Sequence, residues 1–260
     1  MSQLVLITGA SSGIGQSLAL RYYAAGYCLA LVARRVSLVQ DWAVAHHFDT
    51  GRYQVYGVDV ADIDAVIAMG QVCIDAQGLP NVVIANAGIS VGMDTSEGGD
   101  LQVMRETFAI NNIGMAATFH PFVRAMANRG SGTLVGIGSV AGIRGLPGHG
   151  AYCASKAAVI SYCESLRGEL KPSGVTVVTI CPGYIDTPLT RKNRYAMPFL
   201  MSASDFANQA FVTIQAGRSY RVIPWQMGVI AKLLRLLPNA ALDKLLSGRA
   251  RKGRKPDGIL

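Results

Sequence analysis

Tyr152 and Lys156 stand four residues apart inside a segment of helical apolar periodicity, which puts a phenol and an ammonium on one helical face. A phenol with an ordinary pKa of about 10 is a poor base at neutrality. An ammonium about 4 Å away, at an effective dielectric of about 20, contributes roughly 4 kcal/mol, or about three pKa units. The pair therefore reads as an acid-base device. The plain alternative is a Tyr and a Lys that merely share a helix face. Ser139 follows the run Gly132 to Ile137 and precedes Tyr152 by thirteen residues.

Other segments suit a dinucleotide. Thr8-Gly9-Ala10-Ser11-Ser12-Gly13-Ile14-Gly15 follows an apolar run and opens a helical segment. Gly9, Gly13 and Gly15 let the backbone turn sharply, and Ser11, Ser12 and Ile14 lie with them where helix N–H groups would meet a pyrophosphate. An ordinary strand-to-helix turn is the simpler alternative, and a P-loop is excluded because no Gly-Lys-Ser/Thr follows. The next apolar run ends in Ala33-Arg34-Arg35, where selection of NAD would place an acid on the ribose hydroxyls. Arginine there clamps a 2′-phosphate, so the expected coenzyme is NADP(H). Paired arginines on a solvated helix start are the competing explanation. Asp59-Val60 and Asn86-Ala87-Gly88 close two further runs. An Asp at such a point accepts from an adenine amino group, and Gly88 allows close passage of the chain; both also suit plain turns.

The elements that must position these groups alternate between short apolar runs and longer helical segments. The runs are Leu4 to Ile7, Cys28 to Val32, Tyr53 to Val58, Asn81 to Ala85, Gly132 to Ile137 and Val175 to Ile180, with a short seventh near Arg221 to Ile223. They lack polar alternation, as expected of parallel strands covered on both faces. Gly or Pro precedes most of them, at Gly26, Gly51, Gly78 to Pro80, Gly130 and Pro172 to Gly174. The expectation is an α/β, doubly wound, Rossmann-type parallel sheet of about seven strands with a C-terminal helical extension. Residues 1–224 read as the dinucleotide-binding catalytic domain, 225–247 as an amphipathic helical extension of it, and 248–260 as a basic, disordered tail.

Taken together, residues 3 to 223 resemble the compact, single-domain short-chain dehydrogenase/reductase family. Its TGxxxGxG matches Thr8 to Gly15, its NAG Asn86 to Gly88, its active-site serine Ser139, and its YxxxK Tyr152 to Lys156. The Asn-x-x-Gly element matches Asn111 to Gly114, with Asn112 as the register alternative to Asn111, and PGxxxT matches Pro182-Gly183-Tyr184-Ile185-Asp186-Thr187. Gly138 departs from a second serine that is frequent there, without loss of chemistry. The resemblance implies that Ser139 bonds the substrate oxygen and Tyr152 transfers the proton. By the same carry-over, Lys156 holds the ribose and tunes Tyr152, and Asn111 supports a water relay. The backbone of Ile185 and the hydroxyl of Thr187 are expected at the nicotinamide carboxamide. The family variant with a larger substrate domain has a different glycine spacing. A catalytically idle NADP-binding sensor or scaffold is the alternative function, disfavoured by the intact Ser139, Tyr152 and Lys156.

Val140 to Gly150 and Leu189 to Asp205 should border the substrate. Their Ile143, Leu146, Pro147, Met197, Phe199, Leu200 and Met201 suit an apolar, lipid-, steroid- or retinoid-like carbonyl or alcohol. His149 reads as a surface-loop histidine, with a second proton carrier as the sharper alternative. The chain has 260 residues, 15% of them charged, with a net charge of +8. From Trp225 onward stand eight Lys or Arg, Arg249 and Lys255 among them, against two acids, so the basicity belongs to the tail. Trp225 to Leu246 fits either a lid or subunit contact, or a helix pair lying on an anionic membrane. No aromatic residues interleave with the basic cluster, so no nucleic-acid partner is expected. Met1-Ser2-Gln3 runs straight into an apolar strand, no apolar stretch spans a bilayer, and five scattered cysteines lack metal spacing. A cytoplasmic homodimer or homotetramer with reduced thiols and no metal is the expectation, peripheral at a membrane in the second case.

Overall fold

In the computed structural model, residues 3–193, 195–248 and 251–254 are described. The chain runs β1 (Leu4–Thr8), α1 (Gly13–Ala24), β2 (Cys28–Ala33), α2 (Val36–Ala45), β3 (Tyr53–Gly57), α3 (Ile63–Gln77) and β4 (Val82–Ala85). It continues through α4 (Asp100–Phe108), α5 (Gly114–Arg129), β5 (Gly132–Ile137), α6 (Gly150–Leu170) and β6 (Val175–Pro182). The short strands β7 (Ile185–Asp186) and β8 (Met201–Ser202) precede α7 (Ala203–Gln215), β9 (Tyr220–Ile223), α8 (Trp225–Leu236) and α9 (Asn239–Leu246).

Seven strands form one parallel sheet in the order β3-β2-β1-β4-β5-β6-β9. The expected seventh strand is β9, pairing Thr179 with Tyr220 through Pro182 with Ile223. Side-chain alternation divides each central strand between two cores. Val5, Ile7, Leu29, Leu31, Val135 and Ile137 face α1 and α7, whereas Leu4, Leu6, Ala30, Val32 and Leu134 face α3 and α5. Both sets are buried, which is why these strands show no polar period. Each fully buried Leu, Ile or Val adds about 1.5–3 kcal/mol of transfer free energy. The winding reverses between β1 and β4, and the crevice at their carboxyl ends is where a doubly wound sheet receives its ligand. No described helix is long and apolar enough to cross a membrane.

The C-terminal helices fold back on the domain. α8 buries Met227, Gly228 and Ala231 while Trp225, Val229, Leu233 and Leu236 stay exposed, and α9 buries Leu242 and Leu246. The tail, expected to be disordered, is held at residues 251–254 by ion pairs and backbone contacts described below. Arg249 and Lys255, which figure in the basic-cluster expectation, lie outside the described residues.

Candidate active site

The loop between β1 and α1 is built for close approach. Gly9 has φ +70°, and a Cβ on Gly15 would run into the Gly9 carbonyl, so a side chain there is excluded by backbone. Ser12 is the N-cap of α1 without a side-chain cap, and no acid stands in the first turn. The first N–H groups of α1 thus lack a side-chain partner at a positive helix end, which fits a pyrophosphate. Gly13 lies against Thr187, 3.1 Å from the position of an added Cβ, so the PGxxxT segment closes over the same loop.

Thr8, quoted in the motif but given no role from sequence, ties the loop to the end of β4. Its hydroxyl accepts from the N–H groups of Asn86 (3.0 Å) and Ala87 (3.1 Å), while the Asn86 amide donates to the Thr8 carbonyl at 2.9 Å. Arg34 and Asp59 meet at the ends of β2 and β3, with Nη1 to Oδ2 at 3.5 Å. Both side chains are largely exposed, so the pair is weak and leaves the guanidinium accessible. Arg35 is the exposed N-cap of α2. Asp59 Oδ1 accepts from the Ala61 N–H at 3.0 Å, and Val60 is buried beneath it.

Ser139, Tyr152 and Lys156 converge beyond β5. The Tyr152 hydroxyl shares a hydrogen bond with Ser139, whose Oγ also accepts from the Ala141 N–H at 3.1 Å. Burial raises the Tyr152 pKa, with the Ser139 bond opposing it, so the phenol is protonated at neutrality. Lys156, 5% exposed, donates from Nζ to the Ile137 carbonyl at 2.8 Å, and burial brings its pKa down to about 8. Nζ lies 5.9 Å from the Tyr152 ring centroid. The cation therefore faces the ring while its ammonium is anchored on the β5 carbonyl.

Asn111 sits in a π turn, Ala109–Ile113, between α4 and α5. The extra residue rotates its side chain into the crevice, a common device at functional sites. Oδ1 accepts from the Ile89 N–H at 2.9 Å, and Nδ2 donates to the Ile89 carbonyl at 3.1 Å and to Ser155 Oγ at 3.0 Å. Asn111 and Lys156 both border Gly88, within 3.1 and 3.5 Å of where a Cβ would be. Asn112, the register alternative, instead donates to the Ser155 carbonyl at 2.9 Å. Ile185 and Thr187 are buried at the β7 turn, and Thr190 Oγ1 donates to the Ile185 carbonyl. Pro182 ends β6, and the Gly183 N–H is already committed to the Ile223 carbonyl at 2.8 Å, with Met227 of α8 packed where a side chain would stand.

At the N-terminal end of α6, the helix that carries Tyr152, opens a cavity of about 690 Å³ lined by Leu146, Pro147, His149, Tyr184, Tyr195 and Met197, with Leu246 of α9 among its other walls. Segments 140–150 and 189–205 thus meet as expected, and the C-terminal extension contributes a wall. His149 is 7% exposed, so the surface-loop reading is corrected: the turn before α6 directs it inward.

The tail crosses the same region. The Gly92 N–H donates to the Gly253 carbonyl at 3.0 Å, and Lys252 Nζ donates to the Leu189 carbonyl at 3.2 Å and to Asn193 Oδ1 at 2.5 Å. Arg254 pairs with Asp100 at 2.6 Å and with Glu97 at 3.6 Å, and Arg251 with Asp94 at 3.7 Å. The Arg254 hydrogen bond, helped by the Asp94 N–H, holds the Asp100 carboxyl below its usual range. Acids in the loop after β4 were the available signal, but their partners lie some 150 residues away, with 154 separating Arg254 from Asp100.

The family model described as short chain dehydrogenase matches residues 3–197. An uncharacterized oxidoreductase of Myxococcus xanthus is 34% identical over 238 residues, covering 92% of this chain and 94% of that relative. A short chain dehydrogenase from Burkholderia cenocepacia in complex with NADP superimposes with a TM-score of 0.80 at 22% identity, covering 95% of this chain and 98% of that one. The L-sorbose reductase of Gluconobacter frateurii, complexed with NADPH and L-sorbose, gives 0.77 at 24% identity over 85% and 95% of the two chains.

Proposed function

Because the chain belongs to the short-chain dehydrogenase family of oxidoreductases, we propose that it is an NADP(H)-dependent reductase of an apolar ketone or aldehyde, working reversibly on the corresponding alcohol. One observation carries this: the hydrogen-bonded Ser139–Tyr152 pair, with Lys156 behind it, stands beyond the crevice that the glycine loop and Gly88 line. Bound NADPH supplies the hydride. Ser139 and Tyr152 hold the carbonyl oxygen between their hydroxyls, and Tyr152 passes its proton to that oxygen as the carbon is reduced. Lys156, with a pKa of about 8 and its cation facing the Tyr152 ring, is the group that returns a proton to Tyr152. Asn111 clamps Ile89 and so holds the Gly88 backbone beside the coenzyme.

The NADP preference rests on Arg34 and Arg35 just past the end of β2, where the neighbouring acid, Asp59, is itself paired with Arg34. NADP and NADPH in the similar structures agree with it. The apolar substrate class rests on Leu146, Pro147, Met197 and Leu246 in the cavity wall. For assembly, the helices bearing Asn111 and Tyr152 leave Leu101, Met104, Ile113 and Tyr162 exposed, which suits a homodimer or homotetramer. The exposed Trp225, Val229, Leu233 and Leu236 of α8 suit peripheral contact with a membrane face. A screen of apolar ketones and aldehydes, read as loss of NADPH absorbance, tests the activity. Turnover with NADPH well above NADH supports it, and no turnover of any carbonyl refutes it.

A further inference from the structure

His149 is the N-cap of α6, three residues before Tyr152, so the two side chains start about 5–6 Å apart on one face of the helix. The backbone holds it rigidly: its N–H donates to the Leu146 carbonyl at 3.1 Å, and its carbonyl accepts from the Cys153 N–H at 2.8 Å. Nδ1 lies 3.3 Å from the Pro147 carbonyl, which can only accept, so Nδ1 carries the proton. Nε2 therefore presents a lone pair toward the Tyr195 hydroxyl, 3.4 Å away. Burial, with Lys252 adding to it, lowers the imidazole pKa, and burial, with Tyr184 and Tyr152 adding to it, pushes the Tyr195 phenol up to about 12. Both rings are neutral at physiological pH.

The pair lies in the wall of the cavity at the start of α6, where Leu146, Pro147, Met197 and Leu246 offer no polar side-chain atom except a thioether and Tyr184 adds a further phenol. A contact of 3.4 Å is longer than a good O–H···N bond, so a guest can displace it with little loss. Two arrangements result, and they ask the same thing of the guest. Either Tyr195 keeps donating to Nε2 and its oxygen accepts from the guest, or the guest takes the place of Tyr195 and donates to Nε2 directly. Both require a donor on the guest, and on an otherwise apolar molecule the uncharged donor that suits this wall is an O–H. An ether or a second carbonyl has no hydrogen to give and competes with Nε2 for the tyrosine proton.

We infer that His149 and Tyr195 form the specificity contact of this pocket, taking the hydroxyl of a hydroxylated but otherwise apolar ketone about one helical turn from the reacting carbonyl. The assignment rests on the proposed reductase activity. It makes a demand that a merely apolar pocket does not: a hydroxyl should improve the substrate where hydrophobicity alone would favour a methyl group.

Two matched pairs of ketones test it. One is a cyclohexanone bearing a hydroxyl or a methyl group opposite the carbonyl, and the other is a fused two-ring ketone bearing the same groups on its far ring. In the wild-type protein, kcat/KM for NADPH-dependent reduction should favour the hydroxyl member of at least one pair by about tenfold. His149→Phe should remove that ratio, Tyr195→Phe should reduce it, and His149→Gln, which keeps an acceptor, should retain part of it. A methyl preference in both pairs, or a ratio untouched by His149→Phe, overturns the inference. Turnover is not needed for the second readout, which uses wild-type protein labelled with nitrogen-15 in its histidines. With NADPH present, the hydroxyl compounds should move the His149 Nε2 resonance toward the hydrogen-bonded value, and the methyl compounds should not. An unmoved resonance overturns the inference. A moved resonance without turnover of any ketone upholds it and leaves the reductase activity as the part that failed.

Discussion

The coenzyme side and the substrate side of the crevice are assembled by different means. On the first, backbone groups do the positioning, whatever their separation in sequence: Gly9 meets Gly15 in one loop, the N–H groups of Asn86 and Ala87 hang on Thr8 across 78 and 79 residues, and Asn111 is clamped to the Ile89 backbone. On the second, the walls come from segments distant in sequence. His149 meets Tyr195 across 46 residues, Lys252 meets Asn193 across 59, and Arg254 meets Asp100 across 154. Geometry built on backbone groups resists change and carries the part of the chemistry that every substrate shares. Long-range contacts made by exposed ions and loops are individually weak and set which molecule enters and how fast it leaves.

Changes on the coenzyme side should therefore be severe and independent of substrate. Gly15→Ala pushes a methyl group into the Gly9 backbone, which cannot yield without opening the loop. We expect NADPH affinity to fall by about 100-fold in a fluorescence titration, and near-normal binding would show that the loop is looser than its geometry implies. Arg34→Ala removes a charge-assisted contact of about 1.5–3 kcal/mol, so NADPH should bind about 10- to 100-fold more weakly with NADH unchanged. An unaltered coenzyme preference removes the arginine argument.

The substrate side should respond more gently. Asp100→Asn deletes the carboxylate that Arg254 grips and should raise KM about three- to fivefold with kcat nearly unchanged. The effect should shrink in molar salt, and a fall in kcat alone would assign the tail to the chemical step. pH gives a profile that separates the halves. Burial depresses the Lys156 pKa to about 8, so the ammonium is present below that pH and lost above it. NADPH-dependent reduction should accordingly decline as pH rises through about 8, whereas a flat profile to pH 10 would exclude the ammonium. The smallest effect belongs to α8: replacing exposed Trp225 and Leu233 with Ser should leave turnover intact and abolish flotation with anionic vesicles if that face touches membrane. Equal absence of flotation before and after would remove the membrane contact.

The same division governs what was legible in the sequence. The central strands announced themselves because they are buried on both faces, and the residues just past the strands, Arg34, Asp59, Asn86 and Ser139, follow from strand ends alone. Gly9 to Gly15 and Tyr152 to Lys156 were readable because helical and turn spacing fix their geometry within a few residues. The anchor of Lys156 on Ile137 was not, since which atom a long side chain reaches depends on the burial around it. His149 reads as exposed because a loop between Pro147 and a helix start is usually solvated. Its burial is made by Tyr195 and by walls from a helix near the chain end. Docking of residues 251–254 was hidden for the same reason: a run of basic residues shows its charge but not the acids that receive it.

Tyr152→Phe bears most directly on the central claim, because it removes one oxygen and keeps the ring that Lys156 faces. Steady-state NADPH oxidation with a turned-over ketone, beside NADPH titration of the same protein, should show kcat down by about 100- to 10,000-fold and coenzyme affinity within about twofold of wild type. Retained turnover in the Phe variant would contradict the assignment of Tyr152 as the proton donor.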